Sequence, residues 1–332
     1  MFNTKKRSQG SIASLVILLL SLGVALLLVL NRQYVIDQIS VWQYKPSSEV
    51  ASIVERAGLN DNGKFVFYTA HPSIEDAVSF NQKCGRKENS TAILGCYNGQ
   101  DIYIYNVTDA RLDGIREVTA AHEMLHAAYA RLNDSEKKHI TALLMDEYEK
   151  LKGDKDFGMR MAFYDRTEPG ERDNELHSII GTEVSSISNE LEVYYKKYFI
   201  DRSKVVALHE KYATIFNELQ KRGEEISSQL TELGQTIERQ SSQYNADVAQ
   251  LNRDITSFNA EANDGKFTSD AAFQATRAAL VARANALEVA RQQINDAIGR
   301  FNELRDELTA VASESEALNK SLDSSLAPAP SL

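Results

Sequence analysis

Proline is scarce in this chain: five occur in 332 residues, and none lies between positions 170 and 327. Proline interrupts helices by removing an N–H donor and clashing with the preceding turn, so a long proline-free stretch leaves room for long helices. Cysteine is scarcer still. Two cysteines exclude a disulfide-dense scaffold and a four-cysteine metal knuckle. A basic surplus is also missing. With 37 Lys+Arg against 47 Asp+Glu the net charge is -10, which leaves nothing to neutralise phosphates and excludes broad nucleic-acid binding. Sixteen glycines are too few for a loop-rich sandwich.

Charge is absent altogether from residues 11–30, SIASLVILLLSLGVALLLVL. Twenty helical residues rising about 1.5 Å each match the roughly 30 Å hydrocarbon core of a bilayer. Lys5, Lys6 and Arg7 precede the run, so the positive-inside rule predicts a cytoplasmic tail at 1–10 and a single-pass transmembrane signal anchor at 11–31, contacting membrane lipid. The bulk of the chain is then outside the cytoplasm and carries about -13. A cleaved signal peptide is the alternative, but LLVLNRQYV offers no small-x-small cleavage site. Export permits a disulfide between Cys84 and Cys96, for which loop closure predicts about 3 kcal/mol of stabilisation; two separate thiols are the plainer reading.

Beyond the anchor the pattern divides into a juxtamembrane segment at 32–60, an α+β domain at 61–200, a helical hairpin at 203–318 and a disordered tail at 319–332. KFVFYTA (64–70) is aromatic and β-branched and predicts a strand; SIEDAVSFNQKC predicts a short helix. TAILGCY (91–97) and QDIYIYNV (100–107) flank Asn98-Gly99, a strong hairpin signal. Helices are predicted over about 116–131, from a cap at Asp134 onward, and over ERDNELHSIIGTEVSSISNELEVYYKKYF as one helix or a pair. In 203–318, apolar residues from Leu208 to Phe258 and from Phe273 to Leu308 recur in steps of three and four or their sums on either side of Asn263-Asp264-Gly265. This predicts an antiparallel coiled coil folded back within one chain, with self-association or a separate coiled-coil partner as the alternative.

One motif carries chemistry: His122-Glu123-Met124-Leu125-His126. Residues four apart share a helix face, so two imidazoles stand ready for one tetrahedral Zn²⁺ while Glu123 lies beside the activated water. Chance alone produces the pattern in roughly one chain of this length per hundred, and a pair of structural histidines is the competing explanation. The third ligand is expected to be a carboxylate, with Asp146, Glu147, Glu175 and Glu183 as candidates. Glu183 is also a candidate to hold the Nδ1–H of His122 or His126.

The segment around 60–200 resembles the gluzincin metallopeptidases, especially the compact minigluzincin type distantly similar to the lethal-factor and Mlc titration factor branch. The resemblance is specific at HEMLH and weak at Glu175-Leu176-His177-Ser178, where His177 replaces an aromatic residue and the second acid, Glu183, lies eight residues on. It implies a zincin-like α+β domain with Glu175 as the first choice of third ligand, then Glu183, then Asp146 or Glu147, and a zinc peptidase acting on a protein or peptide substrate, which the export reading places outside the cytoplasm. Glu123 is the expected general base. Tyr164, in the loop before the ligand helix, is the first candidate oxyanion donor, followed by His177 and Tyr129. His71 is expected near the cleft and His139 and His209 on the surface. The alternative function is a non-catalytic, membrane-anchored coiled-coil spacer with a structural zinc domain.

Overall fold

In the computed structural model the described residues are 9–85, 93–167 and 169–325. The expected basic tail at 1–8 and the end of the expected disordered tail, 326–332, lie outside them. Contacts divide the chain into two compact units, 1–214 with 319–332, and 215–318.

The first unit is built mostly of helices. α1 (Gln9–Leu30) and α2 (Arg32–Gln43) are followed by α3 (Ser48–Arg56) and α4 (Asp61–Thr69). β1 (Ser73–Glu75), α5 (Ala77–Lys83), β2 (Gly95–Tyr97) and β3 (Ile102–Tyr105) come next, then α6 (Ile115–Ala130), α7 (Asp134–Leu151), α8 (Lys155–Thr167), α9 (Arg172–Glu183) and α10 (Asn189–Tyr195). α11 (Ser203–Asn263) begins in this unit. The sheet has the order β1-β3-β2, with β1 parallel and β2 antiparallel to β3, so β2 is an edge strand.

The expected α+β class is therefore corrected: 78% of the described chain is helical and the sheet has only three strands of three or four residues. KFVFYTA forms most of α4 instead of a strand. Asn60 caps α4 by accepting from the Gly63 N–H, and Val66, Phe67 and Tyr68 on consecutive positions are all buried, as a helix deep in the core requires and a two-faced strand does not. The hairpin at Asn98-Gly99 forms as expected, with Gly99 at φ +94° and the Asn98 side chain accepting from the Gln100 and Asp101 N–H groups. Asn133, not Asp134, caps α7, in a reciprocal box with Glu136.

The transmembrane anchor is corrected too. Among the described residues no single helix is long and apolar enough to cross a membrane. Only α1 together with α2, across a 76° bend, passes by length and composition.

The expected juxtamembrane segment belongs to the domain. Val50, Ile53 and Val54 of α3 enter the main core. α2 is fastened by its buried Asp37, which accepts from Arg131 at 2.9 and 3.0 Å just past α6, while the Thr69 hydroxyl also meets Arg131 at 2.7 Å. At the other end of the chain, Ser324 is fully buried and exchanges hydrogen bonds with Asn81 of α5, so 319–325 is not a disordered tail.

In the second unit, α11 and α12 (Asp270–Leu322) form the predicted hairpin within one chain, turning at Gly265 (φ +65°) with Ser269 accepting from the Ala272 N–H. Ile226, Leu304 and Val311 form a buried seam with Leu219, Leu230, Leu233 and Leu308 around them. Arg222–Glu307 and Arg283–Asp254 ion pairs bridge the arms.

Candidate metal centre

α6 is apolar nearly all round, burying Val118, Ala120, Ala121, Met124, Leu125, Ala127 and Ala128, so it runs through the core and not over its surface. His122 and His126 leave one face of it, their rings edge to face at 4.7 Å. α9 lies across this helix at close range because residue 181 is glycine. A β-carbon there would stand 2.4 Å from Leu125 Cδ1 and 2.7 Å from Tyr195 Cε1. The approach carries Glu175, in the first turn of α9, to the histidines.

Glu175 is 5% exposed. Its Oε2 is 3.6 Å from His122 Nε2 and its Oε1 is 3.5 Å from His126 Nε2. These separations are long for N–H···O hydrogen bonds. They approach the spacing of two donors on one tetrahedral ion, roughly 3.3 Å when each is about 2.05 Å from the centre. One ligand atom from each of the three residues lies within 4.8 Å of the others. Two imidazole nitrogens and a carboxylate fit a divalent metal ion, and the group can hold one.

Glu123 is 7% exposed and faces β2. Residues alternate along an antiparallel pair, and because Leu94 accepts from Tyr105 and Asn98 donates to Asp101, Gly95 and Tyr97 turn their backbone groups outward from β3. Burial raises the Glu123 carboxyl above the usual carboxylate range, against the pull of His126, His122 and the Tyr97 backbone N–H. Burial works against the His122 cation, yet the neighbouring Glu175 carboxylate, with Glu123 and Glu183, brings it up to about 8.

The other expected residues separate cleanly. Glu183 does not join the histidines. Its Oε2 pairs with Arg160 Nη1 and lies 3.4 Å from His209 Nε2. It therefore holds neither His122 nor His126, and His126 Nδ1 is buried without a hydrogen-bond partner among the described residues. Glu147 is buried on α7, accepting from the Ser188 N–H and Lys150, and Asp146 is exposed. Tyr164 lies within α8, not in a loop, and is half-buried beside the site. Burial, then the charges of Glu175 and Glu183, raise its hydroxyl pKa, while Arg160 opposes them. Its hydroxyl makes no hydrogen bond within the described residues.

His177 is fully buried, bonded to the Tyr194 hydroxyl at 2.9 Å and packed at a tilt against Tyr129; burial, with the neighbouring His126 and His122, holds it down to about 3. The Tyr194 hydroxyl thus already engages the His177 ring. His71 is set apart at φ +39°, its ring 2.9 Å from the Ser40 hydroxyl and stacked on Tyr44. His139 is exposed, as expected, whereas His209 is tucked against Glu183. Gly95, Tyr97 and Arg160 escaped the sequence reading: a backbone donor leaves no mark in residue identity, and the partner of Arg160 lies 23 residues away. No family model, curated protein or solved structure matches the chain.

Proposed function

We propose that this chain is a zinc-dependent peptidase of gluzincin type working outside the cytoplasm. The observation that carries the reading is the convergence of His122, His126 and Glu175 on one point with Glu123 buried beside it. A structural histidine site has no use for a carboxylate in that place, and burial that favours the protonated carboxyl is what a proton-transferring Glu needs.

His122, His126 and Glu175 would hold one Zn²⁺, which when bound supplies Lewis-acid activation of water and of the scissile carbonyl. Glu123 accepts the proton of the attacking water and passes it to the leaving amine. Tyr164, whose hydroxyl has no competing bond within the described residues, donates to the carbonyl oxygen as negative charge develops there. The outward N–H and C=O groups of β2 lie along the Glu123 side of the site, so an extended peptide would bind as a further strand.

Cys84 and Cys96, with sulfurs at disulfide distance, support an oxidising compartment. Exposed leucines and valines between Leu15 and Leu30 support contact with lipid. The α11–α12 hairpin would recruit substrate or a helical partner. Zinc content and cleavage of a peptide pool by the full chain test the activity. Glu123→Gln should retain zinc and lose cleavage by at least about a hundredfold; cleavage at the wild-type rate would sink the mechanism.

A further inference from the structure

Two arginines of the first unit differ in kind. Arg202 is a structural arginine. Its side chain is 5% exposed, and it bonds to the carbonyls of Ile180, Val184 and Ser185 as well as to Glu192. Arg160 is 38% exposed and holds one partner, Glu183, through Nη1 alone. Among the described residues nothing takes its remaining guanidinium N–H groups. A guanidinium has five donors in a planar fork suited to a carboxylate. One nitrogen is spent on orientation, and the rest stay available.

The orientation is built from three helices. Glu183 ends α9, the helix that carries Glu175 in its first turn, and His209 of α11 stands 3.4 Å from the same oxygen that Arg160 grips. Arg160 and Tyr164 are four residues apart on α8 and so share a face. The charge of Arg160 is felt at the Tyr164 hydroxyl, which also feels Glu175 and Glu123. Glu123, Glu175 and Glu183 would repel an anionic group entering here, and Arg160 is the cation placed to receive one.

We propose that Arg160 binds a substrate carboxylate on the α8 side of the site, beyond Tyr164, so that the site selects peptides with an anion there. The inference rests on the peptidase reading for the word "substrate", but it concerns binding and is tested without turnover. A carboxylate comes from a free peptide C-terminus or from an acidic side chain. The fork accepts either, Glu183 supplying the countercharge that holds it in place.

The test is calorimetric binding to the zinc-loaded full chain carrying Glu123→Gln. Three acetylated alanine–leucine hexapeptides serve as probes: a free acid, its C-terminal amide, and an amide with one glutamate. At least one acidic peptide should bind roughly tenfold or more tightly than the neutral amide, as expected for a charge-assisted bidentate contact, and which one does so identifies the source. Adding Arg160→Gln should level all three with zinc content unchanged. Arg160→Lys, which keeps charge without the fork, should retain part of the preference and guards against a folding defect in the glutamine variant. Equal binding of all three peptides, no binding of any, or a preference that survives Arg160→Gln overturns the proposal. Cleavage of the neutral amide by wild type, lost in Glu123→Gln, reports separately on the peptidase reading.

Discussion

Gly95 leaves no room for a side chain beside Glu123: a β-carbon there would stand 2.8 Å from both Cγ and Oε1 of Glu123 and 2.6 Å from Thr119 Cγ2. Gly95→Ala must therefore push the carboxylate aside or lift β2 from α6. Misplacing a proton-transfer group by about 1 Å costs on the order of a hundredfold in rate. The expected result is a fall in kcat of that order with zinc affinity within a few-fold of wild type, since no ligand touches Gly95. A rate equal to wild type would mean that Glu123 does not act from the position it holds here.

Under the proposed function Glu175 is the ligand that α9 brings to the histidines of α6, and its loss should be read in metal binding. Zinc binding to wild type should raise the melting temperature in proportion to the logarithm of ligand excess. At one hundred times Kd the gain is about 2.7 kcal/mol. Glu175→Gln keeps the shape but not the charge, so this zinc-dependent gain should largely disappear while the metal-free protein remains folded. Glu183→Gln should leave the gain intact, because Glu183 pairs with Arg160 and His209 and not with the histidines. Calorimetric melting across a zinc series distinguishes the two variants.

The HEMLH helix was legible because a rare pair of residues at a four-residue spacing survives any change in the surrounding fold. Choosing among the acids was harder, since ligand identity depends on which helix crosses α6. Glu175 stood first only by resemblance, and it is Gly181 that lets α9 come close enough. The error at KFVFYTA has a different origin. Strand propensity is a weak preference for a half-buried surface, and here the Asn60 cap and burial of consecutive residues overrode it. The hairpin arms were legible to within a few residues because their apolar period repeats over many turns. Arg160 was invisible, because its significance comes from donors left over after Glu183 is bound.

Gly181 sets the crossing of α6 and α9, so Gly181→Ala should affect stability and the metal site together. The added methyl would meet Leu125 Cδ1 at 2.4 Å and Tyr195 Cε1 at 2.7 Å. Overpacking of this kind costs about 1–3 kcal/mol. Tyr195 has little freedom to retreat, since it is fully buried and its hydroxyl donates to the His177 carbonyl at 2.7 Å. Urea unfolding of the metal-free protein should show that loss, and zinc affinity should fall at least tenfold as Glu175 moves off the histidines. Unchanged values in both measurements would show that α9 is not seated as described.

Cys96 occupies the middle of β2, between Gly95 and Tyr97, and its sulfur meets that of Cys84 just past α5, with Cα atoms 6.0 Å apart. The bridge thus fastens the strand that packs on Glu123. Closing a loop of this size removes unfolded-state freedom worth about 3 kcal/mol. Replacing both cysteines by serine should lower unfolding stability by about that amount. It should also speed amide exchange at Gly95 and Tyr97 more than in α6, because a three-residue edge strand has little else to hold it. Zinc should still bind, as its three ligands come from α6 and α9. If exchange in β2 is unaffected while stability falls, the bridge acts on the unfolded chain alone and the position of β2 comes from its pairing with β3.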